Sequence, residues 1–590
     1  METAEVRKMK DTIKNRKYRK LSLLLLLWCG IFFAACNSRN EVPAGGQVQT
    51  GEKQDVIPDD VLYGQLFDIN NKIEIDLDIT EEQLALLQED YETYSAFGSK
   101  SPIYRNTPMT IRITTPEGTR TYEFENVGIR MKGNTSRTDF YNPEEGKYNL
   151  IHFKIEFPEK FAGLEKLDIR WNKLDDSTYI REYYSYEFMR ACGLLAPRSN
   201  LASVSVAGVH EGVFSICEPV DKLFIERNLP EEDRGGDLYK CGWTWNGASY
   251  TSDMSVGIEN EDNCEFFNFD LKTNKKKSDH AQINHLLAAL NDGEVTKEEL
   301  AELVDMEYFV KFAAASYFIG NPDDMRNNYN NHYIYFLKSS NKAVFIPCDN
   351  DRCFGITKEW NPTGDGMVSV NPFSALADGS GNKQLNPLFI YTVDEGGYYI
   401  DEYTVALKEV AQSEWLTGEK FDSVYETACG NYKEDAKPDK NFYNAGEHRF
   451  RFDNQLSAGL GSTWNNASFE EYIESKMRYF HEYISGHEVY SIRGTFNDWA
   501  LREEFVMAYD ADTNTYSYTL TLQTPQWMKI ADSDGQNWYG YENIAGTVDA
   551  SYITYDEGHY DIVLEPGTYR IVFHAEEKTI EINRENGGVN

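Results

Sequence analysis

Cysteine is scarce in this chain and follows no pattern. Of 590 residues nine are Cys, and seven of them lie beyond Cys36: Cys192, Cys217, Cys241, Cys264, Cys348, Cys353 and Cys429. An odd count at scattered spacing excludes a disulfide framework and a CxxC zinc site. It fits buried thiols, or a producer that lives without oxygen. Positive charge is also short: 58 Lys and Arg face 96 Asp and Glu, for a formal net charge of −38. A surface of that sign repels nucleic acid and anionic lipid headgroups, so neither is an expected partner. Long apolar runs are missing too. The most apolar stretch, Leu21 to Ala35, has about 15 residues, too few to span a bilayer comfortably.

What is present begins at the N-terminus. Eight basic side chains between Arg7 and Lys20 precede that apolar stretch, and small residues follow it. A positive segment, a short apolar segment and small residues before a cleavage point read as an export signal over residues 1–35. Phe33-Ala34-Ala35-Cys36 resembles the bacterial lipoprotein signal, which implies lipidation of Cys36, with Phe33 standing where an aliphatic residue is usual. The expected location is the cell envelope, periplasmic or outer-membrane surface, held by acyl chains rather than by a basic patch. Residues 36–60 are polar, with Gly, Pro and acidic residues, and read as a flexible tether.

Two domains are expected beyond the tether. Residues 61–486 begin with strand patterns: Lys72–Leu77 alternates apolar and polar, as do Met109–Thr114, Arg120–Phe124, Val127–Lys132 and Leu150–Phe157. Thr80 to Gln83 fits a capping box before a helix over about 81–92. A helix over about Ser177–Cys192 and a hairpin, Ala202–Val206 with Gly212–Glu218, follow. Residues 282–485 are mostly helical and end on a helix opened by Ser468 and closed by Gly486. Residues 487–590 change to short alternating strands, an all-β sandwich pattern. The fold class is therefore α+β with a C-terminal all-β domain.

The chemistry concentrates between Ile319 and Gly355. A helix ends at Gly320 and a loop rich in Asp and Asn follows. Strands His332–Phe336 and Ala343–Pro347 come next, and Asp349-Asn350-Asp351 ends the second. Antiparallel pairing sets the residue before the first strand beside the residue after the second. Asp323, Asp324 and Asn331 thus approach Asp349 and Asp351. Converging carboxylates and amides suit a hard cation: Mg²⁺, Mn²⁺ or Ca²⁺. Asp349–Trp360 fails the EF-hand loop template, having Phe354 at its sixth position. A loop Asp for the nucleophile, with an Asn and a second Asp for metal, is the set phosphoryl transfer uses. Upstream, Val127 to Ser136 is a strand ending on the glycine turn at Gly133. Lys154 lies on the next strand, and a helix with Glu182 and Glu187 follows. That order suits phosphate binding and a strand-Lys to helix-Glu pair.

The succession GIRMKGNTS, FKIEF, LDIRWNKLDDSTYIREYYSYEFMRACGL, VSVAGVHEGVFSICEPVDKLF, GDLYKC, NPDD…NNHYIY and VFIPCDNDRCFG resembles the CotH kinase family. The resemblance implies an atypical protein-kinase-like fold, with a β-rich N-lobe and a helical C-lobe, that phosphorylates Ser with ATP and a divalent cation. It implies Asp323 or Asp324 as the catalytic residue and Asn331, Asp349 and Asp351 at the metal (Mg²⁺ or Mn²⁺). Gly133, Lys132 and Lys154 would face the phosphates, Glu218 the base and Lys240 the pocket edge. The acceptor is expected to be a protein Ser/Thr or a surface molecule. Outside the inner membrane ATP is sparse, so another phosphoryl donor stays open. So does a non-catalytic glycan-binding or adhesion lipoprotein built on the same scaffold.

In the C-terminal domain, Tyr490 to Trp499 and Trp527 to Gly540 resemble the β-sandwich modules of outer-membrane starch-binding lipoproteins of the SusE and SusF type. This implies a glycan platform of Trp527, Lys529, Trp538 and Tyr539.

Overall fold

The computed structural model describes residues 57–585, apart from 96–100, 134–135, 143, 145–146, 243–268, 357–364, 375–385, 438–451, 456–466, 487, 500–501, 511–512, 533–534 and 536. The export signal, Cys36 and most of the tether lie outside the described residues.

The chain is a mixed α and β protein. Its first half is a closed barrel built from β1 (Lys72–Leu77), β2 (Arg105–Thr115), β3 (Gly118–Lys132), β6 (His152–Phe161), β7 (Leu164–Trp171), β8 (Ser199–Val206) and β9 (Val209–Cys217). A two-stranded ribbon, β4 (Tyr141–Asn142) with β5 (Lys147–Tyr148), sits between β3 and β6. The order is β1-β2-β3-β6-β7-β9-β8, and a parallel pairing of β1 with β8 closes the ring. Alternation supplies the core: Ile73, Ile75, Ile111, Ile129, Ile155 and Ile169 are fully buried, while their neighbours along the strands face outward.

Local chemistry explains the element ends. Thr80 and Gln83 form the expected reciprocal cap on the helix Glu81–Thr93. Two expected strands, Arg120–Phe124 and Val127–Lys132, are one continuous β3, with a bulge in which Glu125 and Asn126 stand opposite Pro108 of β2 and so absorb one extra residue. The β8–β9 turn is tighter than the gap left between the two expected strands, since Val206 already pairs with Val209. Ala207 and Gly208 both take positive φ (52° and 76°), the geometry a two-residue hairpin turn requires. The helix expected from Ser177 starts at Arg181. Asp176 instead accepts from Thr178 N, Thr178 Oγ1 and Arg181 N, which holds residues 176–180 in a loop.

A second sheet, ordered β11-β10-β12-β13, joins β10 (Leu238–Cys241), β11 (Phe269–Leu271), β12 (His332–Phe336) and β13 (Ala343–Pro347). Helices pack over it around Met306–Ile319, which Asp305 caps and Gly320 ends at φ 62°. The helix Phe469–Ser485 ends on Gly486 at φ 68°. Arg181 is fully buried, donating to the carbonyls of Phe354 and Ala467. The helix it opens is therefore bolted to the chain beyond β13.

Residues from Tyr490 onward form two sheets over one apolar core. One has β14 (Tyr490–Gly494), β17 (Gln526–Asp532), β18 (Trp538–Tyr539), β19 (Ile553–Tyr555) and β20 (Ile562–Leu564). The other has β15 (Ala508–Asp510), β16 (Thr515–Leu522), β21 (Gly567–His574) and β22 (Thr579–Arg584).

Candidate functional site

The site forms where the outer face of β3–β6–β7 meets the loops flanking β12 and β13. The period of two sets Lys132 on β3, Lys154 on β6, and Asp168 and Arg170 on β7 on that face. Lys154 Nζ lies 2.5 Å from Asp168 Oδ1 and Lys132 Nζ 3.4 Å from Asp168 Oδ2. Burial, opposed by Asp168 and joined by Lys132, pushes the Lys154 ammonium down to about 8. Burial pushes the Asp168 carboxyl up, but the two lysines prevail and hold it well below the usual range.

The strand cation that reaches the helix carboxylate is Arg170. Its guanidinium lies 2.6 Å from Glu182 and 2.6 Å from Asp349, so one buried side chain ties β7 to the helix Arg181–Ala191 and to the loop after β13. Tyr186 also donates to Glu182, at 2.8 Å. The expected Lys154–Glu pair is corrected accordingly: Lys154 serves Asp168, and Glu187 pairs within its own helix with Arg190. The LDIRW stretch carried this signal, since Asp168 and Arg170 fall two apart on one strand face.

The hairpin geometry follows the expected pairing. His332 stands opposite Pro347, and Cys348 N donates to Asn331 O at 2.9 Å. The two acidic positions in the preceding loop divide the work. Asp324 caps the short turn Met325–Asn328, accepting from Asn327 N at 2.7 Å. Asp323 accepts from the side-chain amides of Asn328, Asn330 and Asn331, and Asn331 Nδ2 also meets its carbonyl at 3.0 Å. Burial pushes the Asp323 carboxyl up, while the Asn328 and Asn330 amides and Arg352 moderate the shift. Tyr329, Asn331, Asp349 and Phe354 all take positive φ here, and such strain concentrates at functional loops.

Asp349 and Asp351 respond oppositely to this setting. Burial pushes Asp349 up, yet Lys132, Arg170 and Lys240 outweigh it and hold the carboxyl well below its usual range. Asp351 is driven well above its usual range by burial and by the Asp349 charge. Two neighbouring carboxylates that repel one another gain most from a cation. Asn331 spends its amide nitrogen on Asp323, which leaves the oxygen to offer a metal. Among the described residues, no three His, Cys, Asp or Glu side chains form a cage. Two carboxylates and an amide fit Mg²⁺ or Mn²⁺, which keep phosphate oxygens and waters as further ligands.

Gly133 takes φ 110°, and a Cβ there would collide with Ser136 Oγ, so only glycine fits this turn. Lys240, on β10, lies 5.8 Å over the Tyr333 ring and faces Cys348, Asp349 and Asp168. Glu218 departs from expectation. Its carboxylate binds Arg227 (2.7 Å), the Tyr63 hydroxyl (2.7 Å) and Arg198 N (2.8 Å), which makes it a strut beneath the barrel rather than a free contact for a base.

In the C-terminal sheets, Trp527 and Trp538 are each 38% exposed. Trp538 lies 6.1 Å from Trp499 and under the Arg493 guanidinium. Lys529 is ion-paired with Asp561 at 3.1 Å. Tyr539 is corrected: it stands opposite buried Ile530 and packs on Phe573 at 4.7 Å, so it serves the core.

The comparisons with known proteins bear on residues that hold this cleft. A family model described as CotH kinase protein matches residues 129–485. The inner spore coat protein H of Bacillus subtilis (strain 168) is 25% identical over 261 residues, covering 42% of this chain and 67% of that protein. Among solved structures, the Helicobacter pylori proinflammatory kinase CtkA aligns at 10% identity and a TM-score of 0.23, covering 50% of this chain and 92% of that one. With the end of β3, β6, β7, the helix of Glu182 and the whole Asp323–Asp351 region inside a match to more than half of its length, the chain belongs to the CotH kinase protein family.

Proposed function

We propose that this protein is a divalent-metal-dependent kinase that transfers the terminal phosphoryl group of ATP to a hydroxyl of a protein or surface acceptor. The observation that carries this reading is geometric: Asp349, 2.6 Å from Arg170 and two residues before Asp351, stands at the rim of the cluster that Lys132, Lys154 and Arg170 form around Asp168. That is a phosphate surface next to a cation position.

Lys132, Lys154, Lys240 and the Gly133 turn bind the phosphates, and the Arg170–Glu182 pair keeps β7 and its helix in register. Asp349, Asp351 and Asn331 would hold Mg²⁺ or Mn²⁺, which when bound neutralises phosphate charge. Asp323 orients the acceptor hydroxyl and takes its proton as the oxygen bonds to the γ-phosphorus. The bond to the β-phosphate oxygen then breaks and ADP leaves. Asp323→Asn should lower phosphoryl transfer roughly 10²–10⁴-fold with ATP affinity retained. Asp324→Ala should instead cost about 1 kcal/mol of stability, as a lost cap. Steady-state transfer and thermal melts on both variants decide. An active Asp323→Asn beside an inactive, stably folded Asp324→Ala would reverse the assignment.

The same reading places the enzyme in the cell envelope, on the strength of the basic segment, the apolar run and Ala34-Ala35-Cys36. A second activity has its own support in the exposed Trp527 and Trp538, flat apolar faces on which sugar rings stack. We assign these two residues to glycan binding by the C-terminal sheets. Trp527→Ala and Trp538→Ala should each abolish retention on an insoluble polysaccharide that holds the wild type. Unchanged retention, or a wild type that no polysaccharide retains, would remove this assignment.

A further inference from the structure

Asn350 separates Asp349 from Asp351, and its side chain is buried. The amide nitrogen donates to Ser185 Oγ at 3.2 Å, and the amide oxygen accepts from Asn321 Nδ2 at 3.2 Å. Asn321 is buried as well and accepts from Asp323 N at 2.9 Å. Ser185 Oγ, at the other end, donates to Glu182 O at 2.8 Å. The direction of this relay is fixed from one end. A backbone N–H only donates, so Asn321 turns its oxygen to Asp323 and its nitrogen to Asn350, which leaves the Asn350 nitrogen for Ser185. Three elements that carry the carboxylates of the cleft are thereby joined: the helix of Glu182, the loop of Asp349 and Asp351, and the loop of Asp323. A second link, Cys348 N to Asn331 O, runs between the same two loops. Cys348 and Asn350 flank Asp349, while Asn321 and Asn331 lie before and after Asp323. The loops are therefore fastened on both sides of those two carboxylates. Two apolar side chains would fill the same buried space, but an amide pair bonded at both ends also selects one spacing.

We propose that Asn321 and Asn350 are positioning residues, through which the helix of Glu182 and the loop of Asp349 set where Asp323 stands against the terminal phosphate. The assignment rests on the kinase reading above. Neither side chain carries charge, so the relay acts on geometry alone.

The test follows ADP formed from ATP and Mg²⁺ by the full chain, with thermal melts of the same proteins. Asn321→Leu keeps the bulk and removes the relay. It should lower kcat roughly 10²-fold, the cost of about 1 Å of misplacement, with KM for ATP unchanged. Asn321→Asp keeps an acceptor for Asp323 N, and either its own acid proton or a turned Asn350 amide restores the next bond, so most of the loss should be recovered. Ser185→Ala cuts the far end with little change of volume, which gives a readout that needs no folded leucine variant. It should lower kcat about 3- to 10-fold, the worth of one neutral hydrogen bond. Asn321→Leu/Asn350→Leu removes both halves of the amide pair, so it should be less destabilised than the two single leucine losses added, while kcat stays low. A loss in Asn321→Leu that falls on KM, no recovery in Asn321→Asp, an unaffected Ser185→Ala, or a double variant whose kcat returns with its stability would each overturn the proposal and leave the kinase reading standing. A folded wild type that forms no ADP would overturn both.

Discussion

Arg170→Met should be the most destabilising single substitution at the cleft, costing about 3–5 kcal/mol. The side chains of Arg170 and Glu182 are only 8% and 10% exposed, and their separation is 2.6 Å. Removing the guanidinium strands the carboxylate with Tyr186 as its remaining donor, and a buried charge without its counter-ion is the costly case. Lys154→Met gives the contrast, because Asp168 keeps Lys132 at 3.4 Å and the loss should be smaller. The double variant Arg170→Met/Glu182→Gln should regain most of the stability, since it leaves no orphaned carboxylate in the buried pair, while Asp349 loses Arg170 but keeps Lys132 and Lys240. Thermal melts of the wild type, Arg170→Met, Glu182→Gln and the double variant check this as a double-mutant cycle. A double variant no more stable than Arg170→Met would show that Arg170 works through something other than this pair.

Asp349→Ala should separate metal from nucleotide. In the wild type, ATP with Mg²⁺ at about 100 times its Kd should raise stability by roughly 2.7 kcal/mol. The variant loses one of the two carboxylates proposed for the cation, yet it also removes the anion that Lys132, Arg170 and Lys240 surround. ATP without metal should therefore bind the variant at least as well as the wild type, while the increment due to Mg²⁺ disappears and phosphoryl transfer falls with it. A variant that keeps the full increment would move the metal away from Asp349.

Much of this was legible in the sequence because it is local. Alternation over Lys72–Leu77 and His332–Phe336, the cap at Thr80, and the stops at Gly320 and Gly486 each rest on a few adjacent residues, and the structure has them where periodicity and turn chemistry put them. The approach of Asn331 to the loop after β13 was equally readable, since antiparallel pairing leaves no other neighbour. What escaped was non-local. Closure of the barrel depends on a parallel pairing between β1 and β8, which lie more than a hundred residues apart. The counter-ion of Glu182 could not be chosen from spacing, because Lys154 and Arg170 both point from neighbouring strands to the same face and register alone decides between them. Tyr539 looked like a platform residue beside Trp538, yet successive strand residues face opposite ways, and its turn was inward.

The measurement that tests the central claim most directly is a calorimetric titration of ATP into the wild-type protein, run with Mg²⁺ or Mn²⁺ and again with a chelator. The account predicts one saturable site per chain whose affinity rises when the divalent cation is present. Folded protein that binds no ATP in either condition would contradict it and leave the family scaffold as a support for the glycan-binding sheets.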